Sequence, residues 1–215
     1  MSSRSYYIVI GRQFGSGGKE LGQELSKRLG IPCYDKTLIA KASERFGLTP
    51  EIIAKADERR PSALKSFFSC NPGAPDGQYP ATMDKETLYA IQSNVIRQLA
   101  AEGPCIFVGR TADYILRDEP GLFSIFLHAG QSERIKNICR RGDASCMRNA
   151  EACIAKKDKE RQSYYQYYTG KKWGMAENYH LCIDTSKFSI PQLADIICSC
   201  LNMNMHFNVS TLENV

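Results

Sequence analysis

A glycine-rich turn near the amino terminus places the strongest limit on what this sequence can fold into. Residues 6–10 form a short apolar run of the kind found in strands buried on both faces. The letters GRQFGSGG follow, and leucines then recur four residues apart at Leu21, Leu25 and Leu29, before Gly30. The pattern predicts a strand, a turn and a helix in direct succession.

The four glycines of this turn favour a phosphate-binding function. Glycine tolerates left-handed backbone conformations and lets several N–H groups converge on one point. The following helix adds the positive end of its dipole, so a phosphate is the natural occupant. The alternative is a tight turn that only packs a helix against a strand. On the phosphate interpretation the candidate ligands are Gly11, Gly15, Ser16, Gly17, Gly18 and Lys19.

The turn departs from the common pattern of phosphate-binding loops, G-x-x-x-x-G-K-[ST]. If Gly18 and Lys19 are taken as the G-K pair, Gln13 stands where the first glycine belongs. Glu20 then replaces the hydroxyl residue that holds magnesium. In this alignment the chain therefore lacks an expected metal ligand.

A second alignment takes Gly17 and Gly18 as the pair. Arg12 then replaces the first glycine, and Gly18 replaces the lysine. Either Arg12 or Lys19 is expected to supply the missing cation. Ser16 is the only hydroxyl residue in the loop.

Four further apolar segments alternate with helical patterns and predict a parallel sheet. These strands are residues 31–34, 105–108, 123–127 and 181–184. Helices are expected over residues 37–46, 50–58, 84–101, 111–116, 132–141, 149–168 and from 189 onward, with a mobile loop at 61–80 and a frayed tail after about 204. This alternation is typical of an α/β fold in which helices cover both faces of a doubly wound, five-stranded parallel sheet. Such sheets bind ligands at the carboxyl ends of their strands.

Composition limits the expected partners and compartment. The net charge of +5 suits phosphate ligands, although a solvated lysine-rich surface would give the same value. Basic residues do not cluster with aromatic ones, so nucleic acid is not an expected partner. The nine cysteines include no C-x-x-C pair, and their odd number argues against a full disulfide framework. We therefore expect a cytoplasmic protein, and one without a membrane partner because no stretch nears the roughly 20 apolar residues that span a bilayer.

Several segments, taken in order, resemble the cytidylate kinase-like proteins, bacterial relatives of cytidylate kinase. They are GRQFGSGGKELG, PCYDKTLI, IFVGRTADYIL, FLHAGQSERIKNICRR and KDKERQSYYQYYTGKKW, and the resemblance runs over residues 6–203. It implies the P-loop nucleoside monophosphate kinase plan, with ATP and Mg²⁺ as cofactors and CMP or dCMP as phosphoryl acceptor. The implied single domain, 1–215, has a core (1–35, 102–141 and 173–204), an acceptor-binding helical insert (36–101), a lid (142–172) and a tail (205–215).

The resemblance also assigns roles to charged residues beyond the turn. Asp35 and Lys36 would face the acceptor nucleotide, together with Arg110 and Asp113. Arg161 would clamp the transferring phosphoryl group, and Asp158 would orient that arginine or the metal. The implied catalytic set is Arg12, Lys19, Arg110, Asp158 and Arg161, and the metal ligands are not identified.

Departures from the family pattern keep other functions open. Cytidylate kinases carry an acid on each side of the Gly-Arg pair, where this chain has Val108 and Thr111. The alternatives are a kinase of the same fold with another small acceptor, and a nucleotide- or anion-binding regulatory module without turnover. Small nucleotides are the expected partners, with a homodimer as a further option.

Overall fold

The computed structural model describes residues 6–35, 85–142 and 149–210, without the side chains of Lys85 and of residues 204–210. The chain divides into two compact units, Met1–Cys33 with Pro104–Val215, and Tyr34–Gly103. The helices predicted at 37–46 and 50–58 and the loop predicted at 61–80 lie outside the described residues. The division into core, insert and lid stays a prediction.

Five strands form one all-parallel sheet in the order β2-β3-β1-β4-β5. This confirms the predicted sheet, whose central strand is β1. Strand β1 extends past its apolar run because Gly11 and Arg12 pair with Phe126 and Leu127 of the neighbouring strand. The bounds are β1 (Tyr7–Arg12), β2 (Cys33–Tyr34), β3 (Cys105–Val108), β4 (Leu122–His128) and β5 (Leu181–Asp184).

Six α-helices are described, and they begin close to their predicted positions. The last one continues to Ser210, past the tail predicted after residue 204, because no glycine or proline follows Pro191 of its first turn. In the described part of the chain, no helix is both long and apolar enough to cross a membrane. The bounds are α1 (Gly18–Leu29), α2 (Lys85–Ala101), α3 (Ala112–Ile115), α4 (Gln131–Arg140), α5 (Ala150–Thr169) and α6 (Ile190–Ser210).

Apolar side chains pack on both faces of the sheet and give the predicted three-layer arrangement. On one face Ile10 packs with Leu25 of α1 and Leu193 of α6, and all three are fully buried. Successive residues of a strand point to opposite faces, so Phe126 lies on the other side, in a cluster with Tyr165 of α5. Burying each such side chain contributes about 1.5–3 kcal/mol.

Polar groups at both ends of α5 fix where this helix starts and stops. The Asn149 side chain accepts a hydrogen bond from the N–H of Ala152 (3.0 Å), as an N-cap does. The helix ends at Gly170, whose φ of 69° is left-handed. These two boundaries place Asp158 and Arg161 in the middle of a regular helix, so their side chains have defined directions.

The cysteines described by the structure are mostly free thiols. Cys33, Cys182 and Cys198 pack against the core clusters as small apolar side chains. Cys153 of α5 is disulfide-bonded. A single bond of this kind is not a disulfide framework, and the cytoplasmic location stays a prediction.

The close approach of α1 to the sheet depends on Gly22. A Cβ atom there would lie 2.9 Å from both Cys33 Sγ and Val108 Cγ2. We expect Gly22→Val to lower the free energy of unfolding by about 1–3 kcal/mol, because the added carbons force the helix away from the sheet. Gln23→Val, at an exposed position of the same helix, is the matched control for β-branching. Equal losses in urea unfolding of the two variants would contradict this account.

Candidate active site

The glycine turn joins the end of β1 to the start of α1 and is held against the sheet by its own backbone. The N–H of Gln13 donates to Leu127 O (2.9 Å). The Ser16 hydroxyl donates to Gln13 O (2.9 Å) or Leu127 O (3.2 Å), and this side chain is buried. Gly15 and Gly17 have left-handed φ values of 84° and 88°. The Ser16 hydroxyl therefore faces the sheet and is engaged there.

Side chains from α4 and α5 hold the outer side of the turn. Asp158 accepts a hydrogen bond from the N–H of Phe14 (2.7 Å) and forms an ion pair with Arg134. Asn137 Nδ2 donates to Gly15 O (3.0 Å). A Cβ atom on Gly15 would lie 2.9 Å from the carbonyl oxygen of Arg134, so helix and turn touch through backbone. The turn is fixed on both sides before any ligand binds.

The start of α1 offers backbone donors to an anion. Its N-cap residue is Gly17, which has no side chain to cap the first N–H groups. The exposed Lys19 and the half-buried Glu20 follow in the first turn. Uncapped N–H groups and the helix dipole together create positive potential at this point.

Arg161 reaches from α5 to the end of β1. Its Nη1 donates to Arg12 O (2.9 Å), and its guanidinium carbon lies 5.4 Å from the centre of the Phe14 ring. Burial, together with the nearby charges of Arg110 and Arg141, lowers the pKa of Arg161 to about 10, while Asp158 opposes the shift. The site therefore brings several arginines together and favours the arrival of an anion.

Arg141 approaches the site from the end of α4. Its guanidinium makes a two-point contact with the Glu20 carboxylate, with Nε–Oε1 at 2.5 Å and Nη2–Oε2 at 2.9 Å. This pairing ties the end of α4 to the first turn of α1. The carboxylate also partly neutralises the positive charge at that edge.

Three consecutive residues after β3 adopt left-handed backbone conformations. The φ values are 80° for Gly109, 63° for Arg110 and 52° for Thr111. Such conformations cost about 1–3 kcal/mol for residues other than glycine and are found mainly at functional sites. The Arg110 guanidinium lies 5.8 Å from the centre of the Tyr164 ring on α5. The backbone strain supports a functional role for Arg110.

Asp113 lies on the short helix α3. It accepts a hydrogen bond from the Tyr165 hydroxyl (2.8 Å) and is buried, which raises the pKa of its carboxyl above the usual value. It also lines a separate cavity of about 240 Å³ with Lys171 and His180, near the amino ends of β4 and β5. Its predicted contact with the acceptor stays a prediction. Tyr165 itself is buried in a core cluster with Phe126 and Tyr179.

The remaining predicted residues fall in different places. Gly11 lies within β1, where a Cβ atom would meet Phe126 Cδ2 at 3.0 Å, so this glycine serves packing. Asp35 follows β2 in the other compact unit. Lys36 lies outside the described residues. Asp158 contacts Arg134 and the turn, and its charge also acts on Arg161. Its predicted role in orienting Arg161 or a metal stays a prediction.

Sequence reasoning missed the residues of α4 that contact the turn and the first turn of α1. Arg134, Asn137 and Arg141 are spaced three and four residues apart, so they lie on one face of the helix. That spacing was a signal of a shared polar face. The spacing could not show that this face contacts Phe14 and Gly15, because hydrophobic periodicity does not identify the element against which a helix face packs.

A second cavity opens beside the turn at the carboxyl ends of β1, β4 and β5. Its volume is about 480 Å³. It combines an aromatic wall with hydrogen-bonding groups, which is typical of sites for small molecules. The residues that line it include Gln13, Phe126, His128, Gly130, Trp173 and Asp184.

The described side chains do not fit a protein-held magnesium ion. No group of three or more His, Cys, Asp or Glu side chains within 6–35, 85–142 and 149–210 is placed to hold a metal. In the alignment that takes Gly17 and Gly18 as the G-K pair, Lys19 stands where the common pattern has the magnesium-binding Ser or Thr. The Ser16 hydroxyl donates to the backbone beside the sheet. An ammonium group cannot ligate Mg²⁺.

Comparisons with known proteins agree with this arrangement. A model of the cytidylate kinase-like family matches residues 7–187. An uncharacterized protein from Eubacterium ventriosum ATCC 27560 is similar over 93% of this chain and 99% of that chain, with 26% identity and a TM-score of 0.69. A search of curated proteins finds no match.

Two kinases of known structure share the fold. They are a gluconokinase from Sinorhizobium meliloti 1021 (15% identity, 95% of this chain and 98% of that chain, TM-score 0.53) and a shikimate kinase from Acinetobacter baumannii in complex with shikimate (12%, 94% and 95%, TM-score 0.51). At these identities the likeness concerns the fold alone. It confirms the predicted P-loop kinase architecture.

We expect Asp158→Ala to lower the free energy of unfolding by about 3 kcal/mol, because it leaves the largely buried Arg134 without its carboxylate. Asp158→Ala combined with Arg134→Met removes both charges and should recover part of this loss. Urea unfolding of the two single variants and the double variant gives the coupling. A double variant as unstable as the sum of the single ones would contradict the pairing.

The Asp113 carboxyl should make stability depend on pH. Its folded-state pKa is raised by burial, so ionisation destabilises the fold as pH rises above the ordinary aspartate value. Asp113→Asn keeps an acceptor for Tyr165 but cannot ionise. We therefore expect this variant to gain stability over the parent at neutral pH and to lose that advantage near pH ~4. Melting curves that differ by the same amount at every pH would contradict the buried-carboxyl account.

Proposed function

Because the chain belongs to the cytidylate kinase-like family, we propose that it transfers the γ-phosphoryl group of ATP to a nucleoside monophosphate, with CMP or dCMP preferred. The family supports a phosphotransferase of the kinase type. The observation that carries the finer proposal is the proximity of Arg110 to Arg161, whose guanidinium donates to the Arg12 carbonyl of the glycine turn. We propose that the reaction takes place in the cytoplasm.

The arginine cluster suits phosphoryl transfer for an electrostatic reason. The transferring group carries negative charge on its equatorial oxygens, and catalysis consists mainly of positioning it among fixed cations. Burial and neighbouring arginines impose a free-energy cost on the charge of Arg161 and lower its pKa to about 10, although the group stays charged at neutral pH. A bound triphosphate would relieve that cost, so the charge arrangement favours ligands with several phosphate charges.

The donor nucleotide would lie along the carboxyl ends of the strands. Its phosphates would bind the N–H groups from Gly15 to Lys19, where α1 begins. Its nucleoside would occupy the 480 Å³ cavity, where Trp173 offers an aromatic surface and Asp184 a carboxylate. Gln13 lines this cavity and belongs to the turn, so it links the two parts of the donor site.

The acceptor would contact Arg110 first. This residue has a strained left-handed backbone just after β3, and its guanidinium is directed towards Tyr164. Asp35 and Lys36 are proposed to complete the acceptor site. Asp113 would act through Tyr165, since its carboxylate accepts the Tyr165 hydroxyl hydrogen bond.

Magnesium, which this fold family uses with ATP, is proposed to arrive with the phosphates of the nucleotide. The described side chains offer no hydroxyl or carboxylate cluster to hold it. The same observation favours a second candidate function, a nucleotide-binding regulatory module without turnover. That module would bind nucleotide equally well with and without Mg²⁺.

Arg161→Ala tests the catalytic proposal. We expect the rate of ADP release with ATP and CMP to fall by about 100-fold or more, because the variant removes a cation aimed at developing charge. Lys136→Ala is the matched control, since Lys136 is a basic helical residue whose side chain is 74% exposed. ADP release should be assayed with CMP, dCMP, UMP, AMP, gluconate and shikimate as acceptors.

The outcome separates the three functions. Turnover with CMP or dCMP that depends on Arg161 supports the proposal. Turnover with only a non-nucleotide acceptor assigns another small-molecule kinase. Calorimetry that detects ATP binding without turnover, and without a Mg²⁺ effect, assigns the regulatory module. Absence of binding by both ATP and CMP at millimolar concentration would rule out the nucleotide kinase.

A further inference from the structure

Two residues of the glycine turn are exchanged relative to the common phosphate-loop pattern. When Gly17 and Gly18 are aligned with the G-K pair, Arg12 stands at the first glycine and Gly18 at the lysine. A side chain at residue 12 could take the place of one at residue 18 only if the two positions are in contact. The structure shows that they are.

The stem of the Arg12 side chain passes over residue 18. A Cβ atom on Gly18 would lie 2.7 Å from Arg12 Cγ, 3.0 Å from its Cβ and 3.3 Å from its Cδ. Real Cβ atoms do not approach other carbons to 2.7 Å, so any side chain at residue 18 would displace Arg12. The arginine thus occupies the space through which a lysine at residue 18 would leave the backbone.

The head of the same side chain lies against a second glycine. A Cβ atom on Gly109 would lie 1.8 Å from Arg12 Nη1 and 2.8 Å from its Cζ. The N–H of Gly109 donates to Ile10 O (3.0 Å), which fixes this backbone beside β1. The guanidinium therefore lies where the turn meets the end of β3, next to Arg110.

The backbone of Arg12 is held as well. Its carbonyl oxygen accepts the hydrogen bond from Arg161 Nη1 at 2.9 Å. Lys19, the other candidate cation, is exposed on the first turn of α1. Of these two cations, only Arg12 is threaded between the start of α1 and the end of β3.

We propose that Arg12 is the phosphate-binding cation of this loop, and that Gly18 and Gly109 are glycines because the Arg12 side chain passes between them. The proposal rests on the proposed function, since it names which side chain meets the donor phosphates. An arginine suits this role because its planar donors bind two phosphate oxygens at once. The loop then still has a phosphate-binding cation, but residue 12 at the start of the loop supplies it in place of residue 18.

Substitutions at residues 12 and 18 can restore the common loop pattern. We expect Arg12→Gly to weaken binding of ATP by about 10- to 100-fold, the loss typical of one charge-assisted contact. Gly18→Lys alone should also weaken binding, because the new side chain meets Arg12. The double variant R12G/G18K restores the common pattern and should bind ATP within about 3-fold of the parent chain. Calorimetry with ATP, and separately with inorganic tripolyphosphate, measures each affinity.

A matched pair of glycine variants tests the path of the side chain. Gly109→Ala and Gly30→Ala both place a Cβ at positive φ, 80° and 65°. Only the first meets Arg12, because nothing lies within 4 Å of a Cβ on Gly30. We expect both variants to lower the melting temperature and only Gly109→Ala to lower tripolyphosphate affinity. Arg12→Gln, which keeps most of the stem and loses the charge, replaces Arg12→Gly if the latter does not fold.

The results separate this inference from the proposed function. If tripolyphosphate affinity depends on Arg12 but CMP is not phosphorylated, the inference stands and the kinase proposal falls. If CMP is phosphorylated and Arg12→Gly binds ATP within about 2-fold of the parent, the inference falls. It also falls if Lys19→Ala loses more affinity than Arg12→Gly, or if the double variant binds no better than either single variant.

Discussion

The Asp158 carboxylate is the contact on which the rest of the site depends. One oxygen accepts the N–H of Phe14 in the turn, and the other pairs with Arg134 of α4. It lies on α5, so a single side chain joins the turn to two helices. The same helix carries Arg161 one turn further on, so anchoring the turn also positions the arginine. Without this contact the turn and its cations would not share a fixed geometry.

The electrostatics of the site follow from that anchoring. Arg161 is partly buried near Arg110 and Arg141, which lowers its pKa to about 10 and makes its charge costlier than that of an exposed arginine. Arg12 adds a fourth guanidinium, placed by Gly18 and Gly109. Holding several guanidinium groups close together lowers the stability of the fold. It also creates the fixed positive region that phosphoryl transfer requires.

The sequence predicted those features that local pattern determines. The buried strands followed from apolar runs, and the helix starts followed from local pattern, such as the helix predicted from residue 149, which begins at Ala150 after the Asn149 cap. Contacts between distant elements could not be predicted. Periodicity shows which residues share a face of a helix or strand, but not which other element that face contacts. The pairing of Asp158 with Arg134 is such a contact, and the predicted role of Asp158 in orienting Arg161 or a metal stays a prediction. The hydrogen bond from Tyr165 to the buried Asp113 is another such contact.

The most direct test of this account is a crystal structure of the chain with a non-hydrolysable ATP analogue and CMP. The account predicts the triphosphate on the N–H groups from Gly15 to Lys19, with the guanidinium groups of Arg12 and Arg161 within hydrogen-bonding distance of its oxygens. It also predicts the acceptor phosphate at Arg110. An analogue bound away from the turn, or phosphates that contact neither Arg12 nor Arg161, would contradict it.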